Sequence, residues 1–165
     1  MEYKGKAVFF DRDGVVNINK NFVHQVVDFE FVDGIFSVMK HFQEDYLLFI
    51  VTNQSGIARG YFTEYEVRKL HEWMLGEFEQ NNVKVEKVYY CAHHPEYTGD
   101  CECRKPKPGM ILNASKEYSL DLLNSIMIGD NFSDITAGKS AGVGTNILVD
   151  SNDLSKVFEF LYSEH

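Results

Sequence analysis

Five short apolar runs recur along the chain, and longer segments with helical spacing separate them. The first run, residues 8–10, is apolar at every position, which is typical of a strand buried on both faces of a parallel sheet. Strands that alternate with helices predict a parallel sheet with right-handed crossovers and helices on both faces. We therefore predict a three-layer, Rossmann-like α/β fold that spans residues 1–165 as one domain. The other four runs lie at residues 47–51, 85–90, 125–128 and 147–149.

The intervening segments carry helix signals. Apolar residues at helical spacing between residues 34 and 45 predict a core-facing stripe. Thr63 and Glu66 form a capping-box pattern that opens a long helix. Pro108 suits the first turn of a further helix, and Ser133 is predicted to cap the next one. A closing helix is predicted over residues 154–162.

Two residues of the long helix are polar or aromatic. His71 and Trp73 lie among its apolar positions, and we interpret them as packing or surface residues. The residues predicted to face the core from the first two helices are Ile35, Val38, Met39, Phe42, Val67, Leu70, Met74 and Phe78.

Acidic residues follow the first strand directly. Asp11 and Asp13 stand one residue apart after Phe10, and Gly14 then permits a sharp turn. Because alternate residues of an extended chain share a face, both carboxylates can reach one crevice at the carboxyl end of the strand. One is suited to bind a metal or attack phosphorus while the other transfers a proton. The alternative is a strand followed by an ordinary Asx-type turn.

Three later segments add complementary chemistry. Residues 52–56 supply a hydroxyl, amides and main-chain N–H groups that can hold phosphate, although such a cluster is also an ordinary loop signal. Arg104 and Lys105 place cations before the next helix, and Asp130 follows the fourth strand. Acids for Mg²⁺ and donors for phosphate, found in this order, favour a phosphoryl-transfer site.

All three cysteines lie in one loop after the third strand. Cys91, Cys101 and Cys103, together with His93, provide the ligand set of a closed tetrahedral zinc site. His94 is the rival nitrogen ligand, and His93 is preferred because Cys-x-His mirrors Cys-x-Cys. An odd number of clustered cysteines argues against a disulfide scaffold. We predict structural zinc that stiffens a loop without a core of its own.

Composition narrows the classes of partner. The 165 residues are 44% hydrophobic and 25% charged, as in an ordinary globular protein, and the net charge is −9. An acidic chain is a poor binder of nucleic acid or of anionic membranes. The chain shows no pattern of a signal peptide and no apolar run near the ~20 residues that a membrane span requires. We expect a cytoplasmic protein.

Four motifs, in order, resemble those of the haloacid dehalogenase (HAD) superfamily of phosphatases. They are Asp-x-Asp-Gly from Asp11, Thr-Asn-Gln from Thr52, Arg-Lys-Pro from Arg104 and Gly-Asp-x-x-x-Asp from Gly129. The resemblance covers nearly the whole chain and implies the HAD fold with a minimal cap. It narrows to the D-glycero-D-manno-heptose 1,7-bisphosphate 7-phosphatase family through residues 11–14, 23–24, 29–31, 52–60 and 103–106.

The resemblance implies a role for each matching residue. Asp11 would be the nucleophile that forms an aspartyl-phosphate, and Asp13 the general acid and base. Mg²⁺ would bind Asp11, Asp130 and the main-chain carbonyl of Asp13, while Thr52 and Lys105 stabilise the phosphoryl group. The family binds zinc in the loop that corresponds to the Cys/His cluster here.

The substrate implied by this resemblance is a small phosphorylated sugar, bound by a monomer. Residues 17–33 form a long loop, which is typical of a functional segment or a rim, and part of it would line the sugar pocket. The expected substrate-binding residues are Asn19, Lys20, Asn21, Phe22, Asn53, Gln54, Ser55, Arg59, Arg104 and Asn131.

The sequence departs from the family pattern at two places, and three alternative functions are weighed against this interpretation. The stretch from His93 to Cys101 is shorter than in typical heptose phosphatases, and Asn131 replaces a lysine found in some. Histidinol-phosphate phosphatases share the core and the zinc loop but lack the Ser-Gly-Ile-Ala-Arg-Gly of residues 55–60. Polynucleotide 3′-phosphatases share Thr-Asn-Gln and Arg-Lys-Pro, and the net charge and the zinc loop argue against them. A non-enzymatic phospho-receiver would carry a different arrangement of acids.

Overall fold

The computed structural model describes residues 2–3 and 5–163. Within this part of the chain, five strands form one all-parallel sheet in which β1 is central and the order is β3-β2-β1-β4-β5. This arrangement confirms the predicted α/β fold with a parallel sheet. The strands are β1 (Ala7–Phe10), β2 (Leu47–Asn53), β3 (Val85–Cys91), β4 (Ile126–Gly129) and β5 (Thr145–Leu148).

The helices cover both faces of the sheet. Core residues of α1, α2 and α6 pack with Val8 and Phe10 on one face, whereas those of α4 and α5 pack with Ala7 and Phe9 on the other. The side chains of β1 therefore alternate between two buried layers, as expected for a central parallel strand. The helices are α1 (Ile35–Phe42), α2 (Glu64–Gln80), α3 (Pro95–Thr98), α4 (Gly109–Tyr118), α5 (Phe132–Ala141) and α6 (Ser155–Ser163), with 3₁₀-helices at Val26–Asp28 and Leu122–Asn124.

Aromatic packing supplies much of the core. Phe9 and Phe49 stack on neighbouring strands with ring centroids 5.5 Å apart, and both side chains are fully buried. Burial of one such side chain contributes about 1.5–3 kcal/mol to the free energy of unfolding. β1 is apolar throughout and β2 is apolar from Leu47 to Val51, so both strands are anchored in the core up to the polar residues at their carboxyl ends.

The long loop that precedes α1 is packed on the body of the protein. Val23, Phe29 and Val32 are buried in the core layer of α1 and α2. The Phe29 ring lies 5.4 Å from the ring of Trp73 on α2. The apolar residues of this long loop therefore form part of the core, while its polar residues lie at the edge of the sheet.

Several predicted boundaries differ from the structure. The prediction that Ser133 caps α5 is wrong, because the helix begins at Phe132 and Ser133 lies inside its first turn. The main-chain N–H of Asn131 donates to Asp134 Oδ2 (3.1 Å), so the backbone already enters the helix one step earlier. The strand predicted over residues 147–149 lies at Thr145–Leu148, and α3 was not predicted.

The strand order locates a natural crevice. From β1 the chain builds the sheet outwards through β2 and β3, and then crosses to the other side of β1 for β4 and β5. Open α/β sheets bind ligands at the carboxyl ends of the strands beside such a reversal. Residues that follow β1 and β4 therefore face the same space. No helix among the described residues is long and apolar enough to cross a bilayer.

Candidate active site

A small cavity lies at the carboxyl ends of β1, β2 and β4. Its volume is about 150 Å³. Asp11 follows β1 and Asp130 follows β4, so neighbouring strands bring both carboxylates to it, while Asn53 is the last residue of β2. The lining residues are Asp11, Asp13, Asn19, Asn53, Lys105, Asp130, Asn131, Ser133 and Asp134.

Lys105 is a buried cation at the base of this cavity. Its Nζ donates to Asp11 Oδ1 (2.8 Å) and to the Val51 carbonyl (2.9 Å), and it also contacts the Asp134 carboxylate. Burial alone would lower the pKa of Lys105, but the Asp11 and Asp134 carboxylates raise it above its ordinary value. Lys105 is therefore an ammonium group throughout the neutral range.

The main chain around Lys105 is fixed by the neighbouring strand. The Asn53 side chain donates to the Lys105 carbonyl (3.1 Å) and accepts from the Lys105 N–H (3.0 Å). This two-way contact joins the end of β2 to a segment fifty-two residues later. Asn53 thus serves the site by positioning Lys105, whether or not it also contacts a substrate.

Three carboxylates surround the single ammonium. One oxygen from each of Asp11, Asp130 and Asp134 lies within 4.8 Å of the others. Burial raises the pKa of Asp11 well above its ordinary value, and repulsion from Asp134 and Asp130 adds to this against the attraction of Lys105. Asp130 Oδ1 is buried and has no hydrogen-bond partner among the described residues. Hard oxygen donors with excess negative charge and an unpartnered buried oxygen fit a divalent cation such as Mg²⁺.

The cluster includes one carboxylate that the sequence-based ligand set omits. Asp134 ends the Gly-Asp-x-x-x-Asp motif, and the predicted Mg²⁺ ligands do not include it. The structure places it beside Asp11 and Asp130. The motif spacing was the available signal, because a residue four positions after Asp130 returns on the first turn of the helix to the same edge of the sheet.

Asp13 is held apart from that cluster by donors. Its Oδ1 accepts from Arg12 Nη2 (2.9 Å) and Asn17 Nδ2 (3.0 Å), and its Oδ2 accepts from Gln54 Nε2 (3.0 Å). Burial would raise the pKa of Asp13, but the Arg12 charge and these hydrogen bonds lower it. In this conformation Asp13 is a carboxylate with a fixed orientation.

Thr52 lies on β2 directly before the cavity-lining Asn53, but it is not itself among the lining residues. Its side chain is buried, and its Oγ1 accepts from Gln54 Nε2 (2.9 Å). Because the same amide also donates to Asp13, Gln54 links two of the predicted catalytic residues. The acceptor role is already filled at Oγ1, so the Thr52 hydroxyl hydrogen is available for an oxyanion.

The predicted substrate residues divide into two groups. Asn19, Asn53 and Asn131 line the cavity, and Gln54 lies beneath it. The others, which we call the rim residues, are not among those that line the cavity. Among them, the Arg59 guanidinium lies over the Phe22 and Tyr97 rings (5.8 and 5.2 Å), and Arg59 Nη2 contacts His94 Nε2 (3.3 Å). The remaining rim residues are Lys20, Asn21, Ser55 and Arg104.

The predicted zinc ligands come together at the end of β3. Cys91, His93, Cys101 and Cys103 each offer a ligand atom, and these atoms lie within 4.8 Å of one another. The Cys91–Cys101 and Cys101–Cys103 sulfur distances are 3.7 and 3.6 Å. A tetrahedral site with Zn–S bonds of about 2.3 Å has ligand–ligand edges of about 3.8 Å, which two of the three sulfur pairs match. The Cys91 and Cys103 sulfurs are closer, at 2.7 Å, and would have to move apart around an ion. Three thiols and one imidazole are nevertheless the donor types that zinc prefers. His94 contacts Arg59 instead.

Two buried residues behind Asp13 were missed. Arg12 is fully buried, and its Nη1 lies 3.1 Å from His71 Nε2 on α2. The sequence interpretation treated His71 as a packing or surface residue and gave Arg12 no role. A signal was present, because His71 shares the inward helical face of Val67 and Leu70, where an unpaired imidazole would be costly.

The chain is similar in sequence to known proteins. Residues 102–156 match the HAD-hydrolase-like family. D-glycero-alpha-D-manno-heptose-1,7-bisphosphate 7-phosphatase of Campylobacter jejuni is 54% identical over 147 residues, which cover 88% of this chain and 83% of that protein. D-glycero-beta-D-manno-heptose-1,7-bisphosphate 7-phosphatase of Escherichia coli is 43% identical over 149 residues, which cover 87% and 78%.

A solved structure extends the similarity to the fold. D,D-heptose 1,7-bisphosphate phosphatase from B. bronchiseptica, complexed with magnesium and phosphate, has a TM-score of 0.84 and 29% sequence identity. The similarity covers 97% of this chain and 99% of that chain. The two proteins therefore share the whole architecture, including the strand ends that carry the acidic cluster.

Gly14 controls the position of Asp130. It has a φ of +95°, and a Cβ at this residue would collide with the Asp130 carboxylate. We expect Gly14→Ala to displace Asp130 and to weaken Mg²⁺ binding by about tenfold or more, the effect typical of disturbing the support of a metal ligand. Titration calorimetry with MgCl₂ measures this. Gly76→Ala is the control, since its Cβ meets nothing within 4 Å; wild-type affinity in the Gly14 variant would contradict the expectation.

The burial of His71 leads us to expect that the free energy of unfolding falls in acid. Burial and the Arg12 charge lower the pKa of His71 from 6.5 to about 3. Below pH 6.5 the unfolded chain therefore binds a proton that the folded protein excludes, so this group lowers the free energy of unfolding by up to about 1.4 kcal/mol per pH unit. Urea denaturation at about pH 7 and pH 5 should show a larger loss in the wild type than in His71→Gln. Equal losses would show that His71 titrates normally.

Proposed function

This chain belongs to the D-glycero-D-manno-heptose-1,7-bisphosphate 7-phosphatase family of HAD-like hydrolases, and we propose that it removes the 7-phosphate from that sugar in a Mg²⁺-dependent reaction. The observation that carries the proposal is the buried Asp11–Lys105 pair beside the Asp130 and Asp134 carboxylates. Full-length relatives that are 54% and 43% identical are named for this activity.

The proposed reaction proceeds in two displacements at Asp11. A carboxylate oxygen of Asp11 attacks phosphorus, the bond between phosphorus and the sugar oxygen breaks, and an aspartyl-phosphate forms. Water then attacks the phosphorus, phosphate leaves and the Asp11 carboxylate is restored. The hydrogen bond from Lys105 holds Asp11 Oδ1, which fixes the direction of the attacking carboxylate.

Asp13 has the position for proton transfer. It lines the same cavity as Asp11, and its fixed carboxylate is the form that deprotonates the hydrolytic water. For the first displacement it must carry the proton that the departing sugar oxygen receives. A dianionic substrate phosphate entering the cavity favours that protonated form, because a neighbouring negative charge raises a carboxyl pKa.

Mg²⁺ has a suitable set of oxygen donors. Asp11, Asp130 and the main-chain carbonyl of Asp13 would hold it, with Asp134 beside them, and when bound it would neutralise charge on the phosphoryl group. Thr52 and Lys105 would stabilise the phosphoryl oxygens, with the Lys105 ammonium beside Asp11 and Asp134. This division explains why a strongly anionic cavity is compatible with an anionic substrate.

The rim is suited to the rest of the sugar bisphosphate. Lys20, Arg59 and Arg104 provide cations for the phosphate that is retained, and Asn19, Asn53 and Asn131 provide amides for hydroxyl groups. Each charge-assisted hydrogen bond of this type contributes about 1.5–3 kcal/mol. Asn21, Phe22, Gln54 and Ser55 would shape the same pocket. We propose a small-molecule phosphatase that acts as a monomer in the cytoplasm, with neither nucleic acid nor membrane as partner, in one domain with a minimal cap.

We also propose a structural zinc ion held by Cys91, His93, Cys101 and Cys103. Two observations support a connection to the active site. Cys103 directly precedes Arg104 and Lys105 in the chain, and the Arg104 N–H donates to Cys101 Sγ (3.4 Å). Arg104 Nη1 also donates to the His93 carbonyl (3.5 Å). Zinc would therefore fix the segment that presents both cations to the substrate.

A substrate panel tests the phosphatase proposal. We expect Mg²⁺-dependent phosphate release from heptose 1,7-bisphosphate, with loss of the 7-phosphate, and far lower kcat/KM with histidinol phosphate or a 3′-phosphorylated oligonucleotide. Both anomers belong in the panel because the named relatives differ in anomer. Asp11→Asn should abolish turnover, since an amide is not a nucleophile, whereas the exposed Asp45→Asn should retain it. Preference for histidinol phosphate would refute the substrate assignment.

Metal analysis tests the zinc proposal. Protein purified without chelator should contain about one zinc per chain. His93→Asn and Cys101→Ser should lose zinc and lower kcat/KM, because the Arg104–Lys105 segment loosens. His94→Asn is the matched control and should retain zinc. Zinc-free wild-type protein, or zinc loss in the His94 variant alone, would rule out the proposed ligand set.

A further inference from the structure

We propose that His71, which lies on α2 outside the cavity, is a positioning residue for the reaction. It holds the Arg12 guanidinium in the orientation from which Arg12 fixes the Asp13 carboxylate. The inference rests on the proposed function, because it assigns Asp13 to proton transfer, and it adds a residue that touches neither substrate nor metal.

The contacts form a short chain from the helix to the cavity. His71 Nε2 lies 3.1 Å from Arg12 Nη1, and Arg12 Nη2 donates to Asp13 Oδ1 at 2.9 Å. Arg12 Nη2 also donates to the Val23 carbonyl at 2.7 Å. The guanidinium is planar, so an acceptor at Nη1 fixes the rotation of the whole group and with it the direction of both Nη2 bonds.

The location of this group makes the acceptor important. Arg12 has no exposed surface, and its guanidinium lies 6.0 Å from the Phe29 ring. Water cannot replace a lost acceptor in such surroundings, and a buried donor without a partner is costly, more so when charged. Arg12 Nε already lacks a partner among the described residues. If His71 no longer accepted at Nη1, the guanidinium would be drawn towards other acceptors.

His71 has the right chemical form for this role. An imidazole that accepts at Nε2 carries its proton on Nδ1 and is neutral. A protonated ring would repel the guanidinium that it contacts. His71 is 95% buried, and the Arg12 charge lies beside its ring; both conditions favour the neutral imidazole. The imidazole therefore acts as a fixed acceptor and takes no part in proton transfer.

The same guanidinium also tethers the rim. Val23 belongs to the loop that carries Asn19 to Phe22, and its carbonyl is bound by the Nη2 atom that binds Asp13. The Arg12 guanidinium thus fixes both the orientation of the Asp13 carboxylate and the position of the main chain at Val23 in the predicted substrate loop. Disturbing Arg12 should therefore be visible in the main-chain mobility of residues 18–24, independently of any catalytic assay.

Two matched variants test the proposal. Gln and Met have similar length and shape, but only Gln offers an oxygen acceptor where Nε2 lies. We expect His71→Met to lower kcat by about tenfold or more with a smaller change in KM, and His71→Gln to retain kcat within about threefold. Unchanged kcat in the Met variant would overturn the proposal. Equal losses in both variants would also overturn it, because the accepting atom would then be irrelevant.

Two further measurements need no turnover. Hydrogen exchange of residues 18–24 should be faster in His71→Met than in the wild type or His71→Gln, and unchanged exchange would contradict the hold on Arg12. Long-range ¹H–¹⁵N spectra of the wild type should show an unprotonated Nε2 at neutral pH, and a protonated Nε2 would exclude it as the acceptor. If the wild type hydrolyses no phosphate ester, the proposed function fails, while these two measurements still decide whether His71 orients Arg12.

Discussion

The site depends on one buried cation among carboxylates. Lys105 is almost fully buried, and it is stable as an ammonium only because Asp11 and Asp134 lie against it. Those carboxylates are in turn close enough to repel each other, so the lysine is what permits them to share the base of one cavity. Removing the lysine charge would leave the Asp11 and Asp134 carboxylates buried together without this cation. The ion pair therefore specifies the geometry of the site more than it stabilises the fold.

The chain brings these charges together from distant segments, and each is held by its own support. Asp11 is fixed by the central strand, Lys105 by the two-way contact with Asn53, and Asp130 by a turn at Gly14 that only a glycine accommodates. The Cys/His cluster anchors the segment that delivers Lys105. Rigid elements thus support the reactive groups, while the rim residues lie on loops, an arrangement that separates chemistry from substrate choice.

The sequence was sufficient for the fold and for the list of chemically distinctive residues. Apolar runs and capping patterns respond to local rules, so β1 and α2 were predicted almost at their observed limits. The contacts between side chains within the site could not be predicted from the sequence in the same way. The pairing of Arg12 with His71 joins residues fifty-nine positions apart, and nothing in either neighbourhood encodes it. The predicted start of α5 was wrong for a different reason. Asn131 and Ser133 are both good capping residues, and only the backbone path decides between them.

The hydrogen bonds around Asp13 pose the last question of mechanism. Three donors hold it as a carboxylate, although the first displacement of the proposed mechanism would require it to give up a proton. Two of those donors, Asn17 and Gln54, are neutral amides that can remain in place when one oxygen is protonated, whereas the Arg12 charge opposes protonation. A phosphate dianion that approached Asp13 would counter that charge across a short distance. In the proposed mechanism, Arg12 would thus keep Asp13 ionised until substrate is present, which would prepare it for the hydrolytic step and leave the substrate's own charge to enable the first one.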